Sequence, residues 1–122
     1  MNGGSKQITG GCLCQSVRYR ADQPPTAAGY CHCRMCQKAL GNLFGTWVAF
    51  DLENFAHTGK EPRWHRSSEI AQRCFCGECG SPIIKRVESK LDSVRLRLGT
   101  LDGDPVAKEV EEGLDRIGVP RE

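Results

Sequence analysis

The chain of 122 residues carries a net charge of +2, with 39% hydrophobic and 26% charged residues, a profile that suits one globular domain rather than two. Its mean hydropathy is negative and no run approaches the ~18 apolar residues of a membrane span, so no membrane partner is expected. So small a positive charge, with only two Trp, two Tyr and four Phe, also argues against a nucleic-acid surface.

In chain order, Met1-Asn2-Gly3-Gly4-Ser5-Lys6 lacks the apolar stretch of a secretory signal, so a cytoplasmic protein is expected. Residues 1–6 read as flexible, and the expected division is an N-terminal tail over 1–9 and a single domain over 10–122. Gly10 and Gly11 permit a tight turn before Cys12-Leu13-Cys14. Ser16 to Arg20 alternates as a strand, Val17 and Tyr19 on one side and Arg18 and Arg20 on a solvated side. Asp22-Gln23-Pro24-Pro25 breaks it.

Tyr30-Cys31-His32-Cys33-Arg34-Met35-Cys36 follows, and the rest of the chain is organised around it. Met35 to Leu40 predicts a short helix closed by Gly41. Leu43 to Phe50 has strand composition. Shorter strands joined by turns are expected around Phe55, Thr58–Pro62, Trp64 and Ser67-Ser68. Gln72 to Phe75 leads as a strand into the knuckle Cys76-Gly77-Glu78-Cys79-Gly80. Pro82–Lys85 and Ser93–Leu98 are two more strands, the second strictly alternating and with Arg95 and Arg97 on its solvated side; Gly99–Gly103 is a turn. Val106, Val110, Leu114 and Ile117 recur at helical spacing and suggest a helix near 105–115. The whole reads as a small, mainly β single domain of several short strands.

Eight cysteines are the compositional outlier. In a cytosolic chain clustered thiols point to metal or redox chemistry rather than to disulfides. Cys31 and Cys33, two apart on an extended segment, leave the same face, and Cys36 returns through a C-x-x-C turn. His32 then points away from them, toward packing or support of the site. A structural zinc can supply roughly 10–16 kcal/mol of apparent binding energy, comparable to the ~5–15 kcal/mol stability of a whole domain. Spacing leaves two partitions open. Cys33, Cys36, Cys76 and Cys79 would make one four-thiolate ribbon; alternatively Cys12, Cys14, Cys76 and Cys79 close one site while Cys31, Cys33 and Cys36 form a second with a free position.

Gly11-Cys12-x-Cys14, Cys31-His32-Cys33-x-x-Cys36, Phe44-x-x-Trp47-Val48-x-Phe50, Arg73-x-Phe75-Cys76-x-x-Cys79-Gly80-Ser81 and Gly99-Thr100-Leu101-Asp102 occur in that order. Together they resemble the glutathione-dependent formaldehyde-activating enzyme family, which also includes centromere protein V. The resemblance runs from about Gly10 to Asp102. It implies a zinc-ribbon-like β-tent fold, two Zn2+ per chain, and the second partition: Cys12, Cys14, Cys76 and Cys79 as structural ligands, and Cys31, Cys33 and Cys36 as the catalytic set. It implies glutathione or a similar small thiol and formaldehyde or another small aldehyde as reactants. The reaction would be that of a carbon–sulfur lyase forming or cleaving S-(hydroxymethyl)glutathione. Cys74 falls outside the family's ligand set and reads as a small buried residue, and the charged chain end after Asp102 departs from the family's usual terminal strand.

Around that core, Trp47 is a candidate wall of the thiol pocket or a core residue. Arg73 and Arg34 flank the ligands, where they could pair glutathione carboxylates or offset thiolate charge. His57 and His65 read as surface residues. Two rival functions belong to other classes: a non-catalytic zinc-ribbon binding module, and a one-zinc thiol redox enzyme of methionine sulfoxide reductase B type using Cys74 or Cys31.

Overall fold

The computed structural model describes residues 7–103. Nine strands form two antiparallel sheets. The smaller joins β1 (Ile8–Gly11), β2 (Arg18–Ala21) and β5 (Phe55–His57) in the order β1-β2-β5. The larger joins β3 (Ala27–Cys31), β4 (Gly45–Asp51), β6 (Arg63–Arg66), β7 (Ala71–Phe75), β8 (Pro82–Val87) and β9 (Ser93–Arg97), ordered β3-β4-β9-β8-β7-β6. The one α-helix among the described residues, α1, spans Arg34–Leu40. No helix among the described residues is long and apolar enough to cross a membrane. β1 starts at Ile8, two residues ahead of the boundary expected at Gly10, because Ile8 and Thr9 pair with Ala21 and Arg20. The helix expected near 105–115 and the flexible residues 1–6 lie outside the described residues.

Strand alternation gives the larger sheet two unlike faces. On one, Ala28, Val48, Leu96, Ile84 and Cys74 stand in register across five strands, and all five are buried in the core with Val17, Tyr19, Phe50, Ile83 and Val94. Each fully buried Val, Leu, Ile or Phe there stabilises the fold by about 1.5–3 kcal/mol. On the other face the same register lines up Ala49, Arg95, Lys85, Arg73 and His65, with Gly29 opposite Trp47 and Trp47 opposite Arg97. A row of cations is thus carried on the back of an apolar sheet.

The two sheets are joined at the end of β9. Leu101 bridges Gly10, and the Tyr19 hydroxyl lies 2.6 Å from Thr100 Oγ1. Asp102 accepts from Thr9 Oγ1 at 2.6 Å and from the Arg18 guanidinium. Arg18 first, and Thr9 with it, hold the Asp102 carboxyl below its ordinary range. Gly10 has no space for a side chain, since a Cβ there would come within 2.3 Å of the Tyr19 hydroxyl oxygen.

Candidate metal-binding sites

The hairpin between β1 and β2 and the turn between β7 and β8 bring four cysteines together. The sulfurs of Cys12, Cys14, Cys76 and Cys79 all lie within 4.8 Å of one another, with Cys12 to Cys14 at 3.6 Å and Cys14 to Cys76 at 3.7 Å. A tetrahedral zinc with ~2.3 Å bonds to sulfur sets its sulfurs about 3.8 Å apart, so this donor set fits the ion. The local backbone is built for thiolates. Cys76 Sγ accepts from the amides of Glu78 at 3.3 Å and Cys79 at 3.4 Å, while Gly80 N bonds Cys76 O at 2.8 Å with Gly80 at φ +84°. That left-handed turn is where glycine is needed. Cys12 Sγ likewise accepts from Val17 N at 3.3 Å, and Gln15 takes the positive φ of this loop, 73°. The Ser81 hydroxyl and amide bring the Cys79 thiol down to about 5.

The second cluster forms where β3 runs into α1. The sulfurs of Cys31, Cys33 and Cys36 also lie within 4.8 Å of one another, Cys31 to Cys33 at 3.5 Å, and among the described residues no fourth His, Cys, Asp or Glu joins them. Cys33 is the N-cap of α1 and its sulfur accepts from Cys36 N at 3.3 Å. Gly41, at φ 66°, closes the helix through its amide to Gln37 O. All eight thiols are unbridged. The C-x-x-C pair from Cys33 and Cys36 is therefore not brought to the pair from Cys76 and Cys79.

Cys36 is fully buried, and cations of the sheet's back face converge on it. Arg73 Nη2 donates to its sulfur at 3.4 Å and Lys85 Nζ at 3.5 Å. Burial opposes ionisation of Cys36, but Arg73, the neighbouring thiols and Lys85 outweigh it and bring the thiol down to about 6. Burial is the largest influence on Arg97 and lowers its pKa, with Cys36 working the other way. Arg73 is only 6% exposed and Arg97 only 7%. The sequence pattern placed Arg97 on a solvated strand side; α1 covers that side instead. Arg97 Nη1 lies where a Cβ on Gly45 would meet it at 2.7 Å, and Leu40 Cδ1 of α1 is equally close to that point. Strand alternation carried no signal for this lid.

The remaining residues singled out in the sequence fall as follows. Trp47 is half-buried, outside the core; its ring covers Gly29 on the Cys31 face and carries Arg95 at 4.5 Å from its centroid. Arg34 is exposed and donates to Gln37 Oε1 at 2.7 Å. His32 packs against Tyr30 edge-on and against Phe44 at a tilt, at 6.2 and 5.3 Å between ring centroids. His65 is exposed and His57 half-buried. Cys74 is a core residue whose thiol burial pushes up to about 12, the reverse of what a nucleophile requires.

The family model described as glutathione-dependent formaldehyde-activating enzyme matches residues 7–113. A crystal structure of a Rhodobacter sphaeroides protein, a structural-genomics target, superposes with a TM-score of 0.66 at 17% identity, covering 79% of this chain and 89% of the other. At that identity the likeness is one of fold. No curated protein matches the sequence.

Proposed function

Because this chain belongs to the glutathione-dependent formaldehyde-activating enzyme family, we propose that it catalyses the reversible addition of glutathione to formaldehyde. The product is S-(hydroxymethyl)glutathione, and the reverse direction is a carbon–sulfur lyase reaction. The observation that carries the reading is the three-thiol cluster of Cys31, Cys33 and Cys36, with no fourth side-chain donor among the described residues. These three are the catalytic metal ligands in this reading, and Cys12, Cys14, Cys76 and Cys79 hold a structural zinc.

A free thiol with a pKa near ~8.5 is mostly protonated at neutral pH. Bound by the three cysteines, zinc would supply a coordination position that keeps a visiting sulfur as thiolate. Around that position this chain does the rest. Arg73 and Lys85 bond Cys36 Sγ and with Arg97 offset the accumulated negative charge. In the addition, the glutathione sulfur pair forms the S–C bond while the C=O π pair moves to oxygen and takes a proton. Lys85 Nζ, unlike the two guanidiniums, can release a proton, and it stands beside the cluster to give one to that oxygen. In this reading Trp47, whose ring covers Gly29 on the Cys31 face, walls the thiol side of the pocket. Holding both reactants is the main contribution expected of such a site, since the uncatalysed addition also proceeds.

Exchange spectroscopy of glutathione with formaldehyde tests the proposal directly. The zinc-loaded protein should accelerate interconversion of glutathione and its hydroxymethyl adduct, and Cys33→Ser should abolish the acceleration. Equal exchange rates with and without the protein would overturn it.

A further inference from the structure

We infer that the cavity under α1 is a carboxylate subsite, so that one of the two reactants meeting at Cys31, Cys33 and Cys36 carries a carboxylate seated between Arg73 and Arg97. The inference rests on the proposed thiol–aldehyde reading for the identity of the reactants, but its geometry is independent of it. A cavity of about 160 Å³ is lined by Arg73, Arg97, Leu40, His65, Phe75 and Pro82. A wider cleft of about 350 Å³ adjoins it, sharing Leu40, Pro82 and Arg97 and opening past Phe44 and Thr100.

Both arginines are more than nine-tenths buried, yet Arg73 Nε and Arg97 Nη1 have no hydrogen-bond partner. Among the described residues neither arginine pairs with a carboxylate. Buried cations in excess of their counter-charge are costly, and a guanidinium cannot escape by losing its proton. Three thiolates with a divalent ion leave one negative charge, against three positive charges from Arg73, Lys85 and Arg97. The balance calls for an anion. Free N–H groups on two planar guanidiniums suit the two oxygens of a carboxylate. The smaller cavity is too small for a tripeptide but takes a carboxylate with a few carbons, which leaves the bulk of a larger thiol to the adjoining cleft.

The carboxylate can come from the thiol, as in glutathione, or from the aldehyde, as in an α-oxo acid such as glyoxylate. The test uses the zinc-loaded full chain. Calorimetric binding of 3-mercaptopropionate is compared with that of its neutral amide, and exchange catalysis with glyoxylate is compared with formaldehyde using 2-mercaptoethanol as a thiol without a carboxylate. A preference of about tenfold or more for the charged partner is expected in one arm, and that arm identifies the source. Arg97→Gln should remove the preference with zinc content unchanged, and Arg97→Lys should restore part of it. No preference in either arm, or one that survives in Arg97→Gln, overturns the subsite. If neither thiol binds, propionate separates the two ideas. Shifts of the Arg73 Nε–Hε resonance with propionate that vanish in Arg97→Gln keep the subsite and discard the thiol chemistry; no shift overturns both.

Discussion

At the scale of single residues, environment decides which thiols can ionise. Cys36 and Cys74 are both fully enclosed, but Cys36 meets Arg73 and Lys85 while Cys74 meets Ile84 and the rest of the apolar core. Cys74→Ala is therefore expected to leave metal content and thiol exchange unchanged, at a cost of about 1 kcal/mol in denaturant unfolding. Loss of exchange in that variant would revive a redox role for Cys74. Gly45 works at the same scale. A methyl group there would press on both Arg97 and Leu40, so Gly45→Ala should displace the guanidinium and weaken carboxylate-dependent binding several-fold while both zinc ions remain. The alternation of Ser93–Leu98 predicted Val94 and Leu96 inside correctly. It could not reveal that the arginine side is also closed, because the helix that closes it comes from some sixty residues earlier in the sequence.

At the scale of elements, the two clusters are built differently and should fail differently. Cys76 belongs to a turn fixed by its own N–H to sulfur bonds and joins β7 to β8, two interior strands of the main sheet. Cys33 caps a helix of seven residues at the sheet's edge strand. Cys76→Ser is expected to unfold the domain. Cys33→Ser should lose one of two zinc ions and the cap, about 1 kcal/mol, and stay folded. Metal analysis with circular dichroism separates the outcomes, and a folded one-zinc Cys76→Ser protein would contradict the assignment. Elements with local signals were legible. The helix expected over Met35–Leu40 with Gly41 behind it is α1 within one residue, and the strand read at Ser16–Arg20 is displaced only to Arg18–Ala21. The order β3-β4-β9-β8-β7-β6 was not legible, since pairing Trp47 with Arg97 or Cys31 with Gly45 depends on contacts between distant segments.

At the scale of the molecule, the four-thiol cluster is a tie between sheets. Cys12 and Cys14 come from the three-stranded sheet's hairpin and Cys76 and Cys79 from the six-stranded sheet, and Ser16 Oγ adds a bond to Glu78 Oε1 at 3.0 Å. Further ties are the Leu101 bridge and the bonds of Tyr19, Thr9 and Arg18 to Thr100 and Asp102. A network of this size is worth a few kcal/mol, the Tyr19–Thr100 bond about 1 kcal/mol of it, whereas a structural zinc can contribute ~10 kcal/mol or more. The metal should therefore dominate the join. Chelation is expected first to expose the amides of β1, β2 and β5 to hydrogen exchange, before those of β4 and β9, whose neighbours on both sides are strands of the same sheet. Tyr19→Phe should bring this exposure on at lower chelator concentration, because it weakens the same join from its other end. Simultaneous exposure of both sheets would mean that the cluster stabilises the whole core as one unit, not the seam between its halves.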